Sequence, residues 1–594
     1  MKRMKQVLVL LLCLAVVLPL AAASADDGFS TSYTYTYDYW EDPQQSPDAY
    51  RVLTVIDTTS LGLENLDNQR LLKPQSLFVQ GDMLYIVDTG NNRIIEVKRT
   101  GNAFAVTRII SQMNVPEGAT IEVTDAVPEE PAPAEDAETA EETPAAETAE
   151  EAPAEAAAEE TPVPEVEAEA PAEDPAAEGA GEEEEAASTE PDVEIVERKA
   201  GDAIPDTFVS PYDVFVDPDG NIYVADYGNQ RVAMMDKDLN WIRDYTKPQD
   251  NTFDQSLAFL PKKIVVDVAG RVYVLGQNVN KGLVKFEADG EFAGFIGANQ
   301  VSVTMAEYIW KRYFQTKEQR AQTESFVPTE YENVAIDEDG FIYATTTVFS
   351  EYDLKYDKAK PVRRLNSLGG DILIKNDRFP PIGDLDWVSG GSESYGPSKL
   401  TDVTVIGNDI YVVLDRIRGR LFGYDSQGVM LWAFGTKGNV NGAFTGAVSL
   451  EHMGYDLLVL DQQENSVTVF QPTEYGLLIY NACETYLNGE YDRSADLWRE
   501  VLKMNANYPL AFRGIGRAIM RQDRYEEAME YFELAHDREN YGRAFKLYRK
   551  VWVEKNIWWI ILIIAALLII PLIIGRVKRM KWEVTAHELG KVRK

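Results

Sequence analysis

The stretch Pro211 to Met235 constrains this chain most. Val214, Phe215 and Val216 form a short apolar run, and Asp217-Pro218-Asp219-Gly220 turns the chain back into Ile222-Tyr223-Val224. A second polar turn, Asp226 to Gln230, leads into Arg231-Val232. Short apolar runs bounded by Asp, Gly, Pro and Asn clusters are the mark of an antiparallel meander. Five further copies repeat the order of run, turn and run: Pro74 to Ile94, Pro261 to Val274, Asn333 to Tyr343, Thr401 to Leu421 and, in degenerate form, Val448 to Phe470. A unit that cannot bury both faces alone must stack on its neighbours. Four-stranded units arranged radially protect their edges by closing a ring. The expected architecture is therefore a multidomain chain led by an all-β six-bladed propeller over residues 51–473, with Arg51 to Ile56 completing the last blade and with five or seven blades as the alternatives that the weak sixth copy leaves open.

The central copy also resembles an NHL repeat. The resemblance rests on a leading Pro, an apolar strand, Asp-x-x-Gly-Asn before the next strand, and then Gly228-Asn229-Gln230-Arg231-Val232. It implies a propeller of the NHL type. Some six-bladed relatives are lactonases or lyases with a central metal, so the channel has to be considered. Aligning the copies puts Ser76, Asp213, Lys263, Asn333 and Asp402 at equivalent inner-strand positions. Of these, Asp213, Asn333 and Asp402 could ligate Ca²⁺, a hard cation that takes oxygen donors. Lys263 in the same ring and the shortage of acids speak against a metal, and no cofactor is expected.

Three insertions interrupt the repeats. Residues 115–200 are Ala/Pro/Glu-rich, without an aromatic residue, and are expected to be disordered because they cannot bury enough apolar surface to fold. Within them Glu129 to Glu190 carries 24 acidic and no basic residues, leaving −16 of the chain's net −40 to the rest. Acidity of this kind argues against nucleic acid as a partner. A second insertion, 301–327, is expected to be helical and contains Trp310 and Tyr313, and a third spans Lys375 to Ser398. In an up-and-down blade these connections emerge on the face of the Asp-x-x-Asn-x-Arg turns. That face, with Asp88, Asn91, Arg93, Asp226, Asn229, Arg231, Trp310 and Tyr313, is the candidate binding face. Asp, Asn and Gly also make tight turns for structural reasons alone.

Outside the propeller, residues 1–25 read as a signal peptide: Lys2, Arg3 and Lys5, then apolar Val7 to Leu20, then Ala23-Ser24-Ala25. Cys13 follows three leucines, which does not suit a lipoprotein anchor. Its removal would leave Cys483 alone and no internal disulfide. Residues 26–50 form a Tyr-rich arm, expected to pack back on the domain as an edge strand.

After residue 473 the period becomes helical. Tyr491, Ser494, Trp498 and Val501 recur 34 residues later as Tyr525, Ala528, Phe532 and Ala535. This pattern resembles tetratricopeptide repeats over 474–556, an α-helical pair capped by a further helix. Ile557 to Ile574 carries no charge and is long enough to span a bilayer. The basic tail 575–594 begins with Arg576, Lys578 and Arg579 and sets a single-pass type I orientation, with the bulk extracytoplasmic and the tail inside.

Three histidines, each in a different segment, offer no catalytic set. Two functions stand. One is a membrane-anchored extracytoplasmic scaffold that recruits a protein or glycan partner, such as another membrane protein or a sugar transport component. The other is a propeller hydrolase or lactonase acting on a sugar derivative around a central Ca²⁺. The missing acid cluster favours the scaffold, and hence a chain that is not an enzyme.

Loop closure depends only weakly on loop length. Replacing Glu129–Glu190 by a short Gly/Ser link is therefore expected to leave the melting temperature of the full chain within a few degrees. A larger drop in a thermal melt would show that the segment packs on the body.

Overall fold

A computed structural model describes residues 34–38, 40, 42–63, 70–120, 195–196, 201–297, 331–349, 354, 359–375, 381–384, 398–407 and 410–592. Residues 1–25, read above as a signal peptide, most of the acidic segment, the 301–327 insertion with Trp310 and Tyr313, and most of 375–398 lie outside the described residues.

Six antiparallel sheets make six blades. Blade 1 is β4–β7 (Ser76–Gln80, Met83–Asp88, Arg93–Thr100, Ala103–Ile110) and blade 2 is β8–β11 (Pro211–Val216, Ile222–Asp226, Arg231–Met235, Trp241–Tyr245). Blade 3 is β12–β15 (Pro261–Val266, Val272–Gly276, Leu283–Phe286, Phe292–Ile296). Blade 4 shows β16–β18 among the described residues (Val334–Ile336, Ile342–Thr345, Val362–Leu365). Blade 5 is β19–β22 (Leu400–Ile406, Ile410–Asp415, Arg420–Asp425, Met430–Phe434), and blade 6 contains β23–β25 (Ala447–Met453, Asp456–Asp461, Ser466–Pro472). The first strands neighbour one another in a closed ring, β4 to β8, β12, β16, β19, β23 and back to β4. Second strands such as β9, β20 and β24 are buried at every position, since blades pack on both of their faces. They read as unbroken apolar runs for that reason. The outer strand β7 alternates exposed with covered positions instead.

The ring is closed by chain from the other end. β3 (Tyr50–Ile56) pairs antiparallel with β25, from Tyr50 opposite Pro472 to Ile56 opposite Val467. Just before it, β1 (Tyr35–Tyr37) and β2 (Pro43–Gln45) form a hairpin that extends blade 5 through Tyr35 opposite Ala433. Asp384 fixes this arm: it accepts from the Tyr35 and Tyr37 hydroxyls and pairs with Arg418 and Arg420. The stems of the acidic insertion also join one another. Gln112 bridges Thr207, Thr120 bridges Ala203, and Met113, Ile204 and Phe208 are buried beside blades 1 and 2.

Helices follow the last strand directly: α1 (Glu474–Leu487), α2 (Tyr491–Met504), α3 (Pro509–Arg521), α4 (Tyr525–Leu534) and the 55-residue α5 (Arg538–Val592). Thr473 caps α1, its hydroxyl accepting from Gly476 N. The 34-residue recurrence persists in the backbone, where Gly489 and Asp523 both take positive φ just ahead of α2 and α4. Neighbouring helices touch through small residues. A Cβ on Gly514 would overlap the Trp498 indole, and one on Gly516 the Phe532 ring.

The helices and blades 5 and 6 share one continuous apolar core, from Trp432, Phe434 and Phe470 through Tyr475, Tyr480 and Trp498 to Ala511 and Ile515. At its seam the Tyr50 ring stacks on Phe434 at 5.2 Å, and the Tyr508 hydroxyl donates to the Leu431 carbonyl at 2.5 Å. Helix α5 leaves this core after the buried Ala544. Its apolar part is uncovered by the rest of the chain and is long and apolar enough to cross a membrane.

Overpacking a close helix crossing costs about 1–3 kcal/mol. Gly514→Ala is expected to lower stability by that amount in chemical unfolding. Gly542→Ala, whose Cβ meets nothing within 4 Å, should be neutral or slightly stabilising.

Candidate functional site

The inner strands of blades 2, 3, 5 and 6 each slip register one residue before the aligned polar position: between Pro211 and Asp213, Pro261 and Lys263, Leu400 and Asp402, and Ala447 and Ser449. A bulge re-aims the side chain that follows it. The re-aimed groups tie one blade to the next. Ser76 Oγ donates to Asp213 Oδ1 at 2.6 Å, and Ile264 N to Asp213 Oδ2 at 2.9 Å. Leu450 N donates to Asp402 Oδ2 at 2.7 Å, and Leu77 N to Ser449 Oγ at 3.2 Å. Lys263 Nζ donates to Ser76 Oγ and also reaches Asp213 Oδ1, at 2.8 and 3.2 Å. Asn333 accepts from Val334 N, and blade 4 reaches blade 5 through Thr345 Oγ1, which donates to the Thr401 carbonyl.

This arrangement does not fit the Ca²⁺ site weighed from the sequence. Both oxygens of Asp213 and both of Asp402, whose Oδ1 takes Val403 N at 2.7 Å, already accept N–H or O–H donors. The Lys263 ammonium stands where a cation would have to compete. Among the described residues no three His, Cys, Asp or Glu side chains gather as a metal set.

Two residues beyond each ring position lies a second layer, and it is one-sided. Blades 1 to 4 contribute Phe78, Phe215, Val265 and Ala335, with the two phenyl rings 4.8 Å apart. Blades 5 and 6 contribute Thr404 and Glu451. The Thr404 hydroxyl contacts Glu451 Oε2 at 3.3 Å and His452 Nδ1 at 2.8 Å. Burial and the nearby charge of Asp402 push the Glu451 carboxyl up to about 8, against the opposing pull of Lys263. Burial raises Asp402 to about 6 in spite of Lys263, and lowers His452 to about 4. Burial works against the Lys263 ammonium as well, but Asp213 and Asp402 outweigh it and hold its pKa above the ordinary value. The channel thus holds a cation beside acids that take up protons near neutrality, the kind of setting in which acid–base chemistry is found. Ser449, Glu451 and His452 were missed in the sequence because copy six is degenerate, and Thr404 of copy five because the alignment stopped at the ring position itself. Extending the ring alignment by one copy and two residues would have found Ser449, Glu451 and Thr404.

The candidate binding-face residues occupy their own turns. Asp88 pairs with Arg93 at 2.7 Å, takes Asn91 Nδ2 at 2.8 Å and accepts Leu72 N at 2.8 Å. Asp226 does the same with Arg231 at 3.0 Å, Asn229 at 2.8 Å and Val209 N at 2.8 Å, and burial raises its pKa against the pull of Arg231. Asp461 grips Thr445 N and Gly446 N in the same manner in blade 6. Four residues after this aspartate the backbone turns left-handed, at Asn92, Gln230, Gly419 and Asn465. Gly90 is required because a Cβ would run into the Leu72 carbonyl. Asp88, Arg93, Asp226, Asn229 and Arg231 are buried, leaving Asn91 the most accessible of the six. Trp310 and Tyr313 lie outside the described residues.

Residues 208–233 match the NHL repeat. No curated protein matches the chain. Among solved structures it is similar to a streptogramin B lyase at 8% identity and a TM-score of 0.34, over 72% of this chain and 100% of that one. It is similar to virginiamycin B lyase from Staphylococcus aureus at 8% and 0.33, over 71% and 99%. It is also similar to a protein of unknown function from Bacteroides thetaiotaomicron at 9% and 0.35, over 75% and 91%. At these identities and scores the likeness bears on neither activity nor ligand.

The raised Glu451 makes stability depend on pH. Between its ordinary value near 4.5 and its folded value near 8, the folded chain holds a proton that the unfolded chain has lost, so stability falls as pH rises. The lowered His452 acts in the opposite sense between about 4 and 6.5. Above pH 6.5 the histidine's opposing contribution has ended and the glutamate's remains, its effect moderated by the 23% of its side chain that stays exposed. The melting temperature is expected to decline from pH 6.5 to 8, and Glu451→Gln to flatten that decline.

Proposed function

We propose that this protein is a membrane-anchored extracytoplasmic scaffold whose propeller and helices together present a surface to a protein or glycan partner. The observation that carries the reading is the shared core of blades 5 and 6 with α1–α3. A propeller and a helical module welded in this way hold two binding surfaces at one fixed geometry, which lowers the entropy cost of engaging a partner. The helices are read as two tetratricopeptide repeats with α5 as cap. Support comes from the 34-residue recurrence in both sequence and backbone and from the Gly514 and Gly516 crossings. The apolar run of α5, followed by Arg576, Lys578, Arg579 and Lys581, supports a type I anchor with the body outside. The polar ring supports the scaffold too, because its carboxylates already bind the backbone of the next blade.

A second reading, a hydrolase acting on a sugar derivative, is favoured by one observation: Glu451 and Lys263 in a channel with one apolar wall. The Ca²⁺ form of that reading lacks a fitting donor set.

Two measurements test the scaffold. A protease added to intact cells or spheroplasts is expected to cut within 115–200 and spare the tail beyond Arg576; cleavage of the tail would overturn the orientation. The detergent-solubilised full chain should melt at one temperature in Ca²⁺, Zn²⁺ or EDTA, because a ligand of the folded state raises stability by mass action. A rise with Ca²⁺ that Asp402→Ala abolishes would favour the hydrolase.

A further inference from the structure

A cleft of about 630 Å³ opens between α3, the start of α5, the β21–β22 hairpin and the N-terminal arm. In a chain of net charge −40 its lining is basic: Lys375, Arg513, Arg517, Arg521, Arg538 and Arg543 against Asp38, Asp537 and Glu539. Three of the arginines recur every fourth residue along one face of α3. The deeper two are held in place. Arg513 pairs with Asp537 at 2.8 Å, and Arg517 lies 3.7 Å from Asp425 and 4.7 Å above the Tyr486 ring. Arg521, Arg538 and Arg543 are exposed at the rim, Arg543 pairing there with Glu539. Tyr486 registers the local field. Burial pushes its phenol up, yet Arg521, donating to its hydroxyl at 3.3 Å, and Arg517 together hold its pKa below the ordinary value. Met430, Leu510 and Met520 line the same cleft, apolar surface that gives a small inorganic anion nothing.

We propose that this cleft takes an acidic, partly apolar peptide segment of a partner protein, with its carboxylates on the rim arginines and apolar side chains against Met430, Leu510 and Met520. This rests on the scaffold reading and names the partner's chemistry. Arginine suits carboxylates because its planar fork can give two parallel charge-assisted hydrogen bonds. The cleft volume lies within the range of about 300–1,000 Å³ found for built ligand sites. A lipid headgroup fits less well. Arg543 precedes the apolar run at Ile557 by 14 residues, about 21 Å of helix, whereas surface charges are screened over about 8 Å in physiological salt.

The test uses the full chain in detergent micelles and a fluorescent, end-capped hexapeptide of alternating leucine and glutamate, read by anisotropy. Binding should be saturable and weaken as salt rises. The peptide with glutamine in place of glutamate should bind about tenfold more weakly, and Arg521→Gln and Arg538→Gln should each lower affinity about tenfold, as loss of a charged hydrogen bond implies. Arg549→Gln, on α5 outside the cleft lining, should bind like the parent, and unchanged near-ultraviolet dichroism would show that the rim variants stay folded. Equal binding of the two peptides, undiminished binding by both rim variants, or complete displacement by short-chain phosphatidylserine would overturn the proposal. Membrane partners that still co-purify with rim variants unable to bind the peptide would remove the cleft and leave the scaffold reading standing.

Discussion

Tyr50 is the point on which the closed body turns. It begins the strand that completes blade 6, opposite Pro472. Its ring stacks on Phe434 and meets Trp432 edge-on at 5.1 Å, both in blade 5. Its hydroxyl contacts Tyr480 of α1 and donates to the Tyr455 carbonyl in the β23–β24 turn at 3.0 Å. One side chain near the start of the propeller thus meets its last two blades and the first helix after them. Closing the ring brings together strands more than 400 residues apart in sequence, as the register of Val55 with Thr468 shows. A large loop-closure entropy opposes that pairing, and the buried aromatic cluster at the seam is what offsets it.

Once closed, the ring sets everything else by repetition. Each inner strand carries a polar side chain to the centre, and in three blades, through Asp213, Asp402 and Ser449, it holds the backbone of its neighbour. Each second strand of blades 1, 2, 5 and 6 ends in an aspartate that grips the chain entering the blade: Asp88, Asp226, Asp415 and Asp461. Buried carboxylates are tolerable because N–H donors and arginines surround them. The distinctive chemistry falls where repetition fails. Glu451 and Thr404 stand at positions that other blades fill with Phe78, Phe215 and Val265, and the arginine-lined cleft forms where the β21–β22 hairpin of blade 5 meets the helices and the N-terminal arm.

Much of the architecture was legible in sequence because it is local and periodic. Turn chemistry at Asp217–Gly220 and Asp226–Gln230 gives hairpins, six copies give six blades, and the change of period after Phe470 gives helices. The role of Arg51–Ile56 was legible because blade 6 lacked a fourth strand. The candidate site was less so. An aspartate in a repeat motif reads the same in sequence whether it faces a ligand or a buried amide, and only the structure shows Asp88 and Asp226 turned onto Leu72 and Val209. The weld between helices and blades was hidden for a related reason. Trp432, Tyr480 and Tyr508 look like core residues of separate modules, and nothing in their spacing says that they share one core.

That weld is the central claim, and hydrogen exchange resolved by mass spectrometry tests it directly. In the detergent-solubilised full chain, Trp432→Ala is expected to reduce amide protection together in blade 5 strands (Arg420–Phe434) and in α2 and α3 (Tyr491–Arg521), since a buried aromatic truncation costs about 3–5 kcal/mol and both segments draw on the same core. Loss of protection confined to blade 5, with the helices exchanging as in the parent, would mean that propeller and helices are independent modules and would contradict the account.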